Sequence, residues 1–537
     1  MSNNRRKYVR TRTWDTVSKP DFFPERDDPE VGISELDKKD DLGLCFSGGG
    51  TRSASATLGQ LRGLRSIGLL VRARYICAVS GGSWAATPFV YLPERFDDDG
   101  FLCSRLEPEQ ITDAELENTP DGSLAKAISE TVIGDDFLGS VFKLRGDECY
   151  SRAVGDLFLE PFGLDDNKKF FTWNARSLRA VLKNNGREQD AECYLQPEDF
   201  YLARDGRPFL IVGATLLYGN KDAYEIAPME ITPLYLGARQ HLRGKGKGGA
   251  DIGGCYLESF AYDSKYNDED IGATPFRVKF WSMNPRGHRY FFNLSDMIGT
   301  SGAAPVRELY KRGMTDCGFP EFRHWSIHSL DKGHAEYSHG DGGHADNLGI
   351  MPMLARGVRK IIVFVNSSKA FQPVSNDEDE RYDSRLAPLF GFAGMPKPGD
   401  LPTTSPSSEN HVFDRNGLKE LLDSLQKCQD RGETLLHMGT YEVKANLRFG
   451  IRPYSGVKIV WIYNGDVPKW RNGLPQHVRE DLREKKDAFK RFPNYLTFGE
   501  EKGHLIDLTR AKVNALAHLS CWNITENSVK IREFFGL

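Results

Sequence analysis

The chain has no run approaching the roughly 18 apolar residues that would span a bilayer, and Met1 to Lys19 is basic and polar, without the apolar stretch of an export signal. The sequence therefore reads as neither membrane-spanning nor conventionally exported, and a cytoplasmic location is expected. Charge of one sign is also missing. The 71 Lys and Arg nearly balance the 75 Asp and Glu, leaving a formal net charge of −4, so no global field draws in nucleic acid and no nucleic-acid partner is expected. Cysteine is sparse: nine residues, odd in number, widely scattered and without a C-x-x-C pair, which excludes a disulfide scaffold and fits a reducing compartment. Sequons at Asn293, Asn366 and Asn523 lack an export signal and read as coincidental. No internal repeat emerges.

What is present is an ordinary globular balance, 39% hydrophobic and 27% charged, with 53 glycines in 537 residues. Residues 1–40 are polar and end in a charged run, so they are expected to form an extension, with one catalytic unit over 41–537. Between 42 and 92 the order strand, glycine turn, helix, strand, small-residue turn, helix is that of a parallel α/β sheet, whose ligand face lies at the carboxyl ends of the strands. Further buried strands are expected at 207–213, 359–365 and 456–463. Amphipathic helices are expected at 125–133 and 177–183, and a docking helix near 506–519. Residues 237–256 form a glycine-rich loop carrying Arg239, Arg243, Lys245 and Lys247, and 367–409 is a polar, proline-rich insertion expected to lack fixed structure in part.

Three segments carry chemistry. Ser47-Gly-Gly-Gly-Thr-Arg-Ser53 lies between a strand and a helix, where consecutive N–H groups can receive a phosphate or a developing oxyanion. It lacks the G-K-[ST] of a P-loop and the third glycine of a dinucleotide turn, so nucleotide readings fail, and a plain tight turn is the alternative. In the second segment a strand runs through Ala78 and Val79 into Ser80, then Gly81, Gly82, Ser83 and Trp84. A serine on such a sharp strand-to-helix turn needs small residues two before and two after it, here Ala78 and Gly82. The alternatives are a helix N-cap, or Ser83 as the nucleophile. The third segment, residues 338–350, places Asp341 in a glycine turn. A partly desolvated carboxylate can take a serine proton directly. His334, His339 and His344 leave a histidine triad open, and with Glu336, Asp341 and Asp346 they leave a metal site open.

Taken together and in order, the three segments resemble the catalytic domain of the group IV cytosolic phospholipase A2 and fungal phospholipase B families, within the patatin-like superfamily. The matched patterns are S-G-G-G-x-R-[AS] at 47–53, x-x-S-G-[SG]-[ST]-W at 78–84 and D-x-G-x-x-x-N-L at 341–348. Residues 224–230 look like the family's F-E-x-[ST]-P-x-E segment, and 299–305 like its G-x-S-[GS] run or patatin's S-A-A-P run. Ala78 for glycine, Ala227 for Ser/Thr, and the patatin-like Asp341-Gly-Gly are departures. The resemblance implies an α/β fold with a central, mostly parallel sheet flanked by helices, and cap or lid elements within about 95–340. It implies a Ser80–Asp341 dyad that forms an acyl-serine without a cofactor or metal. Gly49 and Gly50, with Gly48, are the implied oxyanion donors, and Arg52 the implied holder of the lipid phosphate. The implied substrate is a glycerophospholipid or lysophospholipid at a membrane or micelle surface, with a transacylase or a catalytically silent lipid-binding protein as the alternatives. About 40 preceding residues cannot make the calcium-binding module of the animal enzymes, so calcium-driven targeting is not expected. Candidate lipid contacts are the basic start (Arg5, Arg6, Lys7, Arg10, Arg12), the loop around Lys245, and the apolar loop 389–395.

Overall fold

The computed structural model describes residues 8–130, 133–134, 149–185, 195–220, 223–266, 276–279, 292–313, 318–372, 385–392, 409–484, 489–496, 504–506 and 508–537. Twelve of the described strands share one sheet. In chain order its main elements are β1 (Thr13–Asp15), β2 (Asp40–Phe46), α1 (Gly50–Ser66), β3 (Ala73–Val79), α2 (Gly81–Val90), β4 (Phe209–Asn220), β5 (Ala223–Ile231), β6 (Tyr235–Gly237) and β7 (Cys255–Glu258). They continue with α3 (Leu294–Gly302), β8 (Glu321–His324), β9 (Ala335–Asp341), β10 (Lys360–Val365), β11 (Leu435–Val443), β12 (Tyr454–Tyr463) and α4 (Arg510–Thr525).

The strand order β12-β10-β2-β3-β4 is parallel throughout. These strands are continuous apolar runs because helices cover both faces: Leu42 to Phe46 and Ile361 to Val365 are buried at every position. Antiparallel wings extend this core, β11 beyond β12 and β5-β6-β7-β1 beyond β4. α4 crosses α1 so closely that a Cβ on Gly59 would lie 1.9 Å from the Ala517 carbonyl oxygen. The docking helix starts a few residues later than its apolar pattern suggests because Thr509 caps it, accepting a hydrogen bond from the Lys512 amide.

The junction that builds the site is on one edge of β4. β3 pairs with the first half of β4 and ends with Val79 opposite Gly213. β9 comes in antiparallel along the same edge and ends with Asp341 opposite Ala214. Since β5 occupies the other edge of β4 over 212–220, β3 and β9 meet end to end. Gly342 crosses over Gly213 so tightly that a Cβ there would stand 2.3 Å from the Gly213 carbonyl oxygen.

The prefix is not an appendage. From residue 8 onward it is woven into the body: one strand pairs with Phe276–Lys279, and β1 closes one side of the main sheet. Phe23, Val31, Ile33 and Leu36 are buried. Its polarity misleads in part because two of its charged side chains are paired within the body, Glu25 with Arg356 at 2.8 Å and Arg12 with Glu258 at 2.6 Å. The span 95–340, expected to hold the cap, also supplies β4 to β8 and most of β9. Within the 367–409 insertion, residues 373–384 and 393–408 lie outside the described residues. The apolar loop expected to touch lipid turns inward where it is described, with Phe390 fully buried against Phe413, Tyr441 and Trp461. Of the basic start, Arg5, Arg6 and Lys7 lie outside the described residues, and Arg12 is committed to Glu258 and Glu30. Arg243, Lys245 and Lys247 are exposed. No helix among the described residues is long and apolar enough to cross a membrane.

Candidate active site

Ser80 stands between β3 and α2 with φ 52° and ψ −127°, one of the few non-glycine residues with positive φ. Such a conformation persists only where its surroundings enforce it, and here they do. A Cβ on Gly81 would lie 1.8 Å from the Gly50 carbonyl oxygen, and one on Gly82 2.6 Å from that of Phe46, so only glycine lets α2 start against the end of β2. Ala78 fits without its methyl clashing, fully buried and opposite Phe46 in the sheet. The turn is fastened by two hydroxyls. Ser301 Oγ accepts from the Ser80 amide at 2.9 Å and donates to the Gly213 carbonyl at 2.7 Å, while Ser83 Oγ donates to the Ser80 carbonyl at 2.7 Å. Ser83, the alternative nucleophile, is thus spent on the turn.

Ser80 Oγ donates to Asp341 Oδ2 at 2.9 Å. The other carboxylate oxygen of Asp341 accepts from the Gly343 amide at 2.7 Å, fixing the plane of the acid. Both side chains are nearly enclosed, with Ser80 5% and Asp341 6% exposed. Burial pushes the Asp341 carboxyl up to about 6, against the opposing pull of the Gly343 and Ser80 hydrogen bonds. A carboxylate so placed is ionised near neutral pH yet basic enough to accept a hydroxyl proton.

The glycine turn lies against this pair. A Cβ on Gly48 would come within 3.2 Å of Ser80 Cβ and 2.7 Å of Asn347 Nδ2. The Gly48 amide donates to the Asn347 carbonyl at 2.9 Å, so it ties the turn to the segment after Asp341 and, contrary to expectation, is already engaged rather than open to an oxyanion. Gly49, with φ 145°, is the N-cap of α1, and Gly50 is its first residue. Their N–H groups are at the positive end of a 17-residue helix, where no helical carbonyl can reach them. Arg52, expected at a substrate phosphate, is 3% exposed, and its guanidinium donates to the backbone carbonyls of Asn366 and Tyr495.

His339, two residues before Asp341, is engaged by other partners. His339 bonds Tyr262 Oη at 2.7 Å and the Tyr337 carbonyl at 2.8 Å, and burial lowers its basicity to about 3, which keeps it neutral. Among the described residues no three His, Cys, Asp or Glu side chains gather as metal ligands. Asp346 instead accepts from the amides of Leu348 and Met351 at the start of a short helix. Two residues at the site were not assigned a role from sequence, Ser301 and Asn366. The small-residue run 299–305 was the only local sign of the first, and the second had none.

No protein-family model and no curated protein sequence matches the chain. Three solved structures of human GIVD cytosolic phospholipase A2 are similar to it. One has 13% identity and a TM-score of 0.45, over 93% of this chain and 63% of that one. A complex with methyl gamma-linolenyl fluorophosphonate and terbium chloride has 12% identity and a TM-score of 0.42, over 93% and 60%. A complex with methyl gamma-linolenyl fluorophosphonate has 11% identity and a TM-score of 0.42, over 94% and 60%. The chain therefore spans about three-fifths of the length of those solved chains.

Proposed function

We propose that the protein is a serine acylhydrolase that cleaves fatty-acyl esters of glycerophospholipids or lysophospholipids through Ser80 and Asp341. The observation that carries this reading is the 2.9 Å hydrogen bond from Ser80 Oγ to a buried carboxylate, on a positive-φ turn packed against Gly48 to Gly50. Ser80 Oγ attacks the ester carbonyl as Asp341 Oδ2 takes its proton. The carbonyl oxygen becomes an oxyanion, received by the Gly49 and Gly50 amides. Collapse expels the alcohol, which leaves with the proton held by Asp341, and an acyl-Ser80 remains. Water, deprotonated by Asp341, attacks that ester, and Ser80 recovers its proton as the fatty acid departs. Losing one oxyanion donor typically costs about 3 to 4 kcal/mol, a factor of about 100 to 1,000 in rate, so the turn is as necessary to this scheme as the dyad.

The test is fatty-acid release from phosphatidylcholine and lysophosphatidylcholine in EDTA, wild type beside Ser80→Ala. Release by wild type alone supports the scheme. Equal release by both, or release abolished by the chelator, contradicts it.

A further inference from the structure

The glycine turn is gripped from behind by one residue far away in sequence. β10 runs parallel to β2 with Phe364 opposite Phe46, so Asn366, just past the end of β10, arrives beside Ser47 at the start of the turn. Its backbone amide donates to Ser47 Oγ at 2.9 Å, and its Nδ2 donates to Ser53 Oγ at 2.9 Å. Its Oδ1 accepts from Gln60 Nε2 at 2.8 Å, and its carbonyl accepts from Arg52 Nε at 3.2 Å. Ser47 and Ser53 bracket the turn, and Ser53 Oγ in addition donates to the Ser47 carbonyl. Asn366 thus holds both ends of the turn while 1% exposed.

The hydroxyl of Ser53 sets the role of the Asn366 amide. The Ser53 hydroxyl has its proton on the Ser47 carbonyl, so it needs a donor from Asn366, which Nδ2 supplies and a carboxylate could not. Arg52 closes the grip from the other side through the Asn366 and Tyr495 carbonyls. Gly49 lies flat against both: a Cβ there would stand 2.6 Å from Arg52 Nη2 and 3.2 Å from the Asn366 carbonyl oxygen. A buried guanidinium bonded to main-chain carbonyls is arranged to hold a backbone path, and the path it holds is the oxyanion turn.

We infer that Asn366 and Arg52 are positioning residues for the oxyanion turn, Arg52 acting on the protein's own carbonyls rather than on a substrate phosphate, and that the site consequently takes acyl esters with or without a phosphate. This rests on the acylhydrolase reading above.

The experiment compares wild type, Asn366→Asp, Arg52→Lys and Ser53→Ala on lysophosphatidylcholine and on a monoacylglycerol with the same acyl chain. It also measures the rate at which a soluble alkyl fluorophosphonate modifies Ser80, since the phosphonyl oxygen uses the same hole. Thermal unfolding midpoints identify folded variants; if Asn366→Asp does not fold, Arg52→Lys and Ser53→Ala carry the test. Wild type should turn over both esters. Asn366→Asp and Arg52→Lys should lower kcat about 100-fold on both, with KM changed less than about 3-fold and phosphonylation slowed in parallel. Ser53→Ala, which removes one arm, should lose about 10-fold. Loss confined to lysophosphatidylcholine, or carried by KM, would show that Arg52 reads phosphate and overturn the inference. Unchanged kcat and phosphonylation in the folded variants would overturn it too, as would a wild type that cleaves only the phosphate-bearing ester. A wild type that neither reacts with the probe nor cleaves either ester refutes the acylhydrolase reading itself, and the inference with it.

Discussion

Replacing Asp341 by Asn should stabilise the fold while stopping turnover. The carboxyl is 6% exposed and raised by burial from 3.8 to about 6, so the folded protein holds this proton to a higher pH than the unfolded chain does. Stability contributed by the group is therefore full below about pH 4 and falls as pH rises to about 6. At about 1.4 kcal/mol per pH unit the loss is about 3 kcal/mol. Asn carries no charge to bury. Its Oδ1 can still accept from the Gly343 amide, and its Nδ2 meets Ser80 Oγ as a donor. Above pH 6 the variant should be more stable by about 2 to 3 kcal/mol, and the gap should close as pH falls to 4. Turnover should fall by about 100- to 10,000-fold, the range for a lost general base. Denaturant unfolding of both proteins at several pH values between 4 and 8, with ester hydrolysis in parallel, measures both effects. A variant no more stable than wild type at pH 7, or a gap independent of pH, would refute the reasoning that Asp341 is a buried, costly carboxylate.

Other consequences follow from the same geometry. The rate of ester hydrolysis should rise with pH through about 6, as Asp341 loses its proton, and level off above; a pH–rate profile limited only near 4 would place the base elsewhere. Ser80→Gly should be inactive but more stable by about 1 kcal/mol, because glycine adopts φ 52° without strain; a loss of stability in denaturant titration would contradict this. Gly81→Ala should cost about 2 to 3 kcal/mol and most activity, since its methyl would lie 1.8 Å from the Gly50 carbonyl oxygen. Normal stability and rate in that variant would mean that the two turns are not in contact.

The strands of the parallel core and the turn at Ser80 were legible because they depend on local patterns, continuous apolar runs and small residues at fixed offsets. Asp341 was legible as a motif, but its meeting with Ser80, 261 residues away, depends on β9 joining the edge of β4 above β3, which no local pattern encodes. Asn366 left no trace because one buried amide after an apolar strand looks like any strand end. The prefix misled for the opposite reason. Glu25, Arg12 and their partners are charged, and composition reads charge as exposure, while these are paired within the body. Arg52 was visible as a residue, yet its burial against two carbonyls could be seen only in three dimensions.

The most direct measurement is to treat the protein with an alkyl fluorophosphonate and map the modified residue by mass spectrometry. One adduct per chain is expected, on Ser80, absent in Ser80→Ala and formed much more slowly in Asp341→Asn. An adduct on Ser83 or another residue, or none in a protein that still hydrolyses esters, would contradict it.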